Sequence, residues 1–302
     1  MGTVKNYISI DTGGTFIKHG LIREDGQILK RGKVSAPQTS ITDYFSTITD
    51  ICSRYKEFCP EPVLSMSLPG TVDRKAGTIR GQSSLPYIHN IPFRRLAEEA
   101  AGMEVMMEND ANCAALGETW LGCAKGLNAA AFLIFGTGLG GALCLDGKLL
   151  HGFHLAAGEF SDVIMDFEWP SVRYRNTDAV ISTRKLIASI AEQTGIPGCE
   201  LNGEIIFSRA AENLQPYRDA ADRICLETAV LAFNIQHIFD PEAIVLGGGM
   251  SAQTLWYTQT IHYLQDIYSH MESFAPVCLL KSSLGNDANL LGAVRNTLTY
   301  TE

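Results

Sequence analysis

At 302 residues, with 46% hydrophobic and 19% charged side chains, the chain has the length of about two globular domains and the apolar mass for a large core. Its net charge of −9, with Lys and Arg scattered and not gathered into a stripe, argues against a nucleic-acid partner. No apolar run approaches the roughly 20 residues of a membrane span, and MGTVKNYISID lacks the order of a signal peptide, so a cytoplasmic protein with no membrane association is expected.

In chain order, YISID reads as an apolar strand, TGGT as a glycine turn, FIKHGLI as a second strand, and EDGQ as a hairpin turn into ILKRGKV. A helix is predicted from Thr42 to Phe58, then a strand VLSMSL ending in PGTVD, then a helix from Phe93 to Ala101 stopped by Gly102. The apolar run through Met106 and Met107 predicts a buried strand. Ala111, Ala114, Ala115 and Leu116 predict a helix directly after it, with Asp110 at the junction as a helix N-cap. AAFLIFGTGLGGALCLDGKLL then repeats the opening order of strand, glycine turn, strand, DG turn and strand, which implies two similar halves. Helices follow from Leu186 to Thr194 and Ala220 to Phe239, then a buried strand AIVLGGG, and a last helix from Ala288 to Leu298. The eight cysteines, Cys52, Cys59, Cys113, Cys123, Cys144, Cys199, Cys225 and Cys278, contain no CxxC pair and read as reduced core residues.

A glycine turn after a strand lets backbone N–H groups face an anion, because no Cβ blocks the approach. Residues 11–15 and 136–141 each have this form. Gly136, Gly138 and Gly141 also match GxGxxG, but that dinucleotide fingerprint needs a helix next, and here another strand follows. Two hairpin turns able to hold a polyphosphate remain, with VLGGGM at 245–250 as a third glycine cluster suited to a base or ribose.

The segments IDTGGTFIK, LPGTVD, MENDANCAALGE, FGTGLGGA, AAGE and IVLGGG, in that order, resemble the ROK family of sugar kinases over nearly the whole chain. The resemblance implies an α/β, actin-like (ribonuclease-H-like) ATPase fold of two lobes with ATP and sugar in a central cleft. The small lobe would comprise 1–115 and 287–302, with the first phosphate turn and catalytic Asp, and the large lobe 116–286, with the second turn and adenosine site. Asp11 would hold Mg²⁺ directly or through water, Gly13, Gly14 and Thr15 would line the first phosphate turn, and Thr137, Gly138 and Gly140 the second. Gly248 and Gly249 would line the adenosine pocket, Asn109 and Glu159 would bind sugar hydroxyls, and Asp110 would be both a sugar ligand and the catalytic base. A homodimer is implied as well. A carboxylate is too weak a base to deprotonate an alcohol beforehand, so Asp110 would orient the hydroxyl and accept its proton late.

Departures from the family pattern fall on the sugar side. Many ROK kinases follow the Gly-Glu pair with Gly-His and a CxCGxxGCxE zinc loop. Here Ser161 and Asp162 replace Gly-His and no cysteine follows them until Cys199, short of the roughly four ligands a structural zinc needs, so no zinc site is expected. Ser84 stands where an Asn is usual, Asp162 adds an acceptor beside Glu159, and Asp178 is a weaker candidate acceptor; His151 and His154 read as structural. Among zinc-less branches, β-glucoside kinases share HIFDPEAIVLGGG and GNDANLLGAV most closely. The expectation is ATP-dependent phosphorylation of the 6-hydroxyl of a neutral hexose or β-glucoside, with glucose or N-acetylmannosamine as alternative substrates and a catalytically inactive sugar sensor as an alternative of another class.

Overall fold

The computed structural model describes residues 5–300 and divides the chain into two compact units. One holds the chain as far as Lys125, His151–Leu155 and the stretch from Asn286; the other holds Gly126–Leu150 and Ala156–Gly285. The boundary expected after residue 115 falls inside a helix, Asp110–Leu121.

In the first unit, strands β1 (Asn6–Thr12), β2 (Phe16–Arg23) and β3 (Ile28–Ser35) form an antiparallel meander. Helix α1 (Ile41–Tyr55) starts where Ser40 accepts the Asp43 N–H, and returns the chain to β4 (Val63–Leu68), parallel to β1. A short hairpin of β5 (Thr71–Asp73) and β6 (Thr78–Arg80) precedes α2 (Phe93–Ala101), which ends at Gly102 in the left-handed region, φ 62°. Then come β7 (Glu104–Asn109), parallel to β4, and α3 (Asp110–Leu121). The sheet order is β3-β2-β1-β4-β7. Its inner strands are apolar runs with Ile8, Ile10, Leu64 and Met66 fully buried, as strands covered on both faces require.

The second unit builds the same sheet again. Strands β8 (Ala129–Phe135), β9 (Leu139–Leu145) and β10 (Lys148–Leu149) make the meander, and a second two-stranded hairpin, β11 (Ile164–Glu168) with β12 (Arg173–Asn176), follows. Helices α4 (Thr177–Ile181), α5 (Thr183–Thr194), α6 (Gly203–Ala211) and α7 (Tyr217–Phe239) lead to β13 (Ala243–Gly248), α8 (Thr254–His270) and β14 (Leu279–Lys281). The order is β10-β9-β8-β13-β14, with β8 and β13 parallel, so the repeat extends from the hairpin to the whole sheet. Each unit has its own apolar core. Burial pushes the thiols of Cys52, Cys144 and Cys225 up to about 12, which keeps them protonated. Among the described residues no helix is long and apolar enough to cross a membrane.

The last helix, Ala288–Thr299, returns to the first unit and lies against α3 at backbone distance. A Cβ on Gly292 would stand 1.6 Å from the Cys113 carbonyl oxygen, and one on Gly117 would stand 2.4 Å from that of Ala288. The pair therefore depends on glycine for closeness, and the last helix also bonds to the sheet: Ser9 Oγ of β1 donates to the Leu290 carbonyl at 2.8 Å. Replacing Gly292 by Ala should cost about 1–3 kcal/mol through overpacking and lower the thermal midpoint. An unchanged midpoint would mean that the two helices do not meet at backbone distance.

Candidate active site

Strand ends position the first unit's polar groups. Asp11, 6% exposed at the end of β1, lies in register with Lys18 of β2 and Ser67 of β4. Its Oδ1 accepts from Ser67 Oγ at 2.7 Å and from Asn289 Nδ2 at 3.0 Å, while Oδ2 lies 3.5 Å from Lys18 Nζ. The turn that follows is closed by Gly13 N–H donating to the Phe16 carbonyl at 3.0 Å. Gln38 Nε2 donates to the Gly14 carbonyl at 2.7 Å. A Cβ on Gly14 would lie 2.0 Å from Ser84 Oγ, so the structure puts Ser84 against the first turn. Thr15 is exposed at its tip.

The β7–α3 junction corrects one expectation: the helix N-cap is Asn109, not Asp110. Asn109 is extended (φ −62°, ψ 148°), and its Oδ1 accepts the Asn112 N–H at 3.0 Å. Asp110 is already the first helical residue, its Oδ1 accepting from Ala111 N–H at 2.9 Å and from Asn109 Nδ2 at 3.0 Å. Asn109 Nδ2 also donates to the Gly70 carbonyl at 3.1 Å, which ties the junction to the PGTVD segment. A first-turn carboxylate is favoured by the helix dipole. Behind both residues Glu108 is fully buried, with Oε1 accepting from Asn109 N–H (2.8 Å) and Asn112 Nδ2 (3.0 Å), and Oε2 meeting His151 Nε2 at 2.8 Å and Arg74 Nη1 at 3.5 Å.

In the second unit, Gly136 and Thr137 are exposed at the tip of the β8–β9 turn, and Gly136 N–H donates to the Gly138 carbonyl at 3.0 Å. Gly140 belongs to β9, opposite Ile134. Gly141 has a packing role: a Cβ there would stand 2.2 Å from the Gly158 carbonyl oxygen, so the AAGE segment lies directly on β9. That contact places Glu159 at the head of a short 3₁₀ turn, Phe160–Asp162, close to β9. Burial, and then the neighbouring Asp162 carboxylate, raises the Glu159 carboxyl above its ordinary value. Asp162 itself is exposed. Asp178 is committed to the second turn: it accepts the Leu139 N–H at 3.1 Å and pairs with Arg184.

Gly248 and Gly249 differ in kind. Gly248, at φ 84°, would put a Cβ 2.2 Å from the Phe135 carbonyl oxygen, so it lets β13 close on the end of β8. Gly249 has no neighbour at its Cβ position, and with Glu204, Phe207, Gln253 and Thr254 it lines an open cleft of about 600 Å³. Lys18, Ser67 and Asn289 around Asp11, and His151 and Arg74 on Glu108, were not anticipated as site neighbours. The sheet register would have revealed the first two, since each stands opposite Asp11.

The ROK family profile matches residues 7–298. The chain is 30% identical to the β-glucoside kinase of Listeria monocytogenes over 306 residues, covering 96% of each protein. Among solved structures, a ROK family protein from Streptococcus pneumoniae TIGR4 in complex with sucrose superposes with a TM-score of 0.85 at 31% identity, covering 97% of this chain and 98% of that one. A ROK family glucokinase from Streptomyces griseus in complex with glucose and AMPPNP gives 0.81 at 25% identity, covering 96% and 98%. The repeated five-stranded sheet is that of the actin-like ATPase fold, and the chain belongs to the ROK family.

Proposed function

We propose that this protein is an ATP-dependent sugar kinase that phosphorylates the 6-hydroxyl of a neutral hexose or β-glucoside. The observation that carries the reading is Asp110 in the first turn of α3, its carboxylate oriented by Asn109 and backed by a buried, fully hydrogen-bonded Glu108. In the transfer, the sugar oxygen bonds to the γ-phosphorus as the β–γ bridging P–O bond breaks and ADP departs. The hydroxyl proton passes to the Asp110 carboxylate and then to solvent. Asn109, with both amide hydrogens engaged, holds Asp110 in place and offers Oδ1 to the sugar. Glu159 and Asp162 are acceptors for further hydroxyls, and Ser84 shapes the first turn and the sugar side beside it. Gly13 closes the first turn through its bond to Phe16, the backbone N–H groups of Gly14, Thr15, Thr137 and Gly138 face the phosphates, Gly140 lets the strand behind the second turn approach them, and Gly248 and Gly249 admit adenosine.

A hard divalent cation suits an oxygen donor set, and Asp11 provides one: Ser67 and Asn289 occupy Oδ1, while Oδ2, which lies 3.5 Å from Lys18 Nζ, would hold Mg²⁺ directly or through water. Bound there, the ion would spread charge developing on the phosphates. An acceptor set of carboxylates and amides suits an uncharged polyol, because like charges facing an anionic sugar are costly. The similarity to a β-glucoside kinase and to a sucrose-bound relative supports a glycoside; the glucokinase similarity supports glucose as the second reading. The same reading extends to a cytoplasmic homodimer.

Asp110→Asn should retain sugar binding by calorimetry while reducing turnover by about two orders of magnitude or more; near-normal turnover would return Asp110 to a structural role. Coupled ADP release should be measured with glucose, cellobiose, an aryl β-glucoside, N-acetylmannosamine and N-acetylglucosamine. Activity confined to the N-acetylated sugars would overturn the neutral-glycoside assignment, and activity with none would favour a sugar-sensing role. The reaction should require Mg²⁺ and survive a zinc-selective chelator, with no stoichiometric zinc on metal analysis. Because the Glu159 carboxyl is raised, the folded chain binds that proton more tightly than the unfolded chain. Ionising it therefore costs stability as pH rises through the raised value. Glu159→Gln should raise the thermal midpoint at neutral pH, change it little near pH ~4, and weaken sugar binding.

A further inference from the structure

Two side chains that the proposed chemistry does not use grip the second glycine turn from outside. Asp178 of α4 accepts the Leu139 N–H at 3.1 Å through Oδ1, and its Oδ2 accepts from Arg184 Nη2 at 2.5 Å. The Arg184 backbone N–H, in the first turn of α5, donates to the Thr137 carbonyl at 3.1 Å. The residues on either side of Gly138 are thus tied to two successive helices. The carboxylate lies against the turn itself, since a Cβ on Gly138 would come 2.9 Å from Asp178 Oδ1. The Arg184 side chain is 68% exposed and that of Asp178 is 23% exposed.

A carboxylate pressed on a turn that receives phosphate is an electrostatic liability, because like charges a few ångströms apart repel. Two features offset it here. The carboxylate satisfies a backbone donor that shapes the turn, and a guanidinium neutralises it from the far oxygen. We infer that Asp178 and Arg184 form a charge-neutral clasp that positions the second turn for nucleotide phosphates, Arg184 acting by cancelling the Asp178 charge. The inference rests on the reading that this turn binds phosphate. Both are positioning residues that act through the backbone of Thr137–Leu139, and Asp178 serves the nucleotide side, not the sugar.

The test is calorimetric titration of the full chain with MgAMPPNP, and separately with the sugar that the wild type binds most tightly, with melting curves alongside. Arg184→Ala leaves the carboxylate uncompensated and should weaken MgAMPPNP binding by roughly three- to tenfold. Arg184→Lys, which restores a cation, should recover most of that loss. Asp178→Asn keeps an acceptor for Leu139 without the charge and should bind at least as tightly as wild type. The double variant Asp178→Asn with Arg184→Ala should bind more tightly than Arg184→Ala alone, and sugar affinity should be unchanged throughout. A double variant as weak as Arg184→Ala would mean that Arg184 contacts phosphate itself, which overturns the clasp. Loss of sugar affinity in Asp178→Asn would overturn it equally. Unchanged nucleotide affinity in a folded Arg184→Ala defeats the clasp alone, whereas a wild type that binds no MgAMPPNP defeats the phosphate reading and the clasp together.

Discussion

The Glu108 carboxylate is the constraint on which the geometry of the β7–α3 junction depends. A buried charge costs several kcal/mol unless nearly all of its lone pairs find donors. The donors come from the next backbone amide, the first turn of α3, Arg74 after the β5 strand, and His151 in the stretch after β10. Arg74 is itself engaged by Asn296 Oδ1 at 2.7 Å and lies over the Tyr300 ring. Satisfying one carboxylate therefore fixes the end of β7, the start of α3 and part of the last helix against one another. Asn109 and Asp110 inherit that precision because they are the next two residues along the chain.

Glycine serves at least three physical ends in this chain, and they are easily confused in a motif. Gly136 and Gly249 leave space open, Gly248 combines positive φ with a strand contact, and Gly141 and Gly292 let backbones touch. Only the first kind leaves room at the glycine itself; the others set the course of the backbone around it. The GxGxxG match in β8–β9 mixes open and packing glycines, and it runs into a strand where a dinucleotide loop would run into a helix.

Much of the fold was legible in local pattern. The bounds of α2 followed from its apolar spacing and Gly102, and the doubled strand–turn–strand order anticipated two like sheets. The strand ends, Asp11's place at one of them included, were legible because buried strands are continuous apolar runs and glycine marks where they stop. The cap was misplaced by one residue because Asn and Asp are both favoured there, and only backbone torsion separates them. Asn289 carries no local signal of its contact with Asp11, since that contact belongs to helix packing across most of the chain. Asp178 looked like a sugar acceptor from its type, whereas its geometry is set by Leu139 and Arg184, which type alone does not reveal.

The second unit is an insertion: the first unit begins the chain, yet its sheet is covered by a helix made from the final residues. Ser9 near one terminus bonds Leu290 near the other, and Ser65 Oγ lies 2.6 Å from Thr297 Oγ1. During synthesis the inserted unit has all of its strands by Lys281, while the earlier-made meander still waits for its covering helix. The order of completion on the ribosome is thus the reverse of the order of translation. The N-terminal sheet is the part left longest without its cover, and loss of the chain from Asn289 onward would strip a partner from Asp11 without removing either glycine turn.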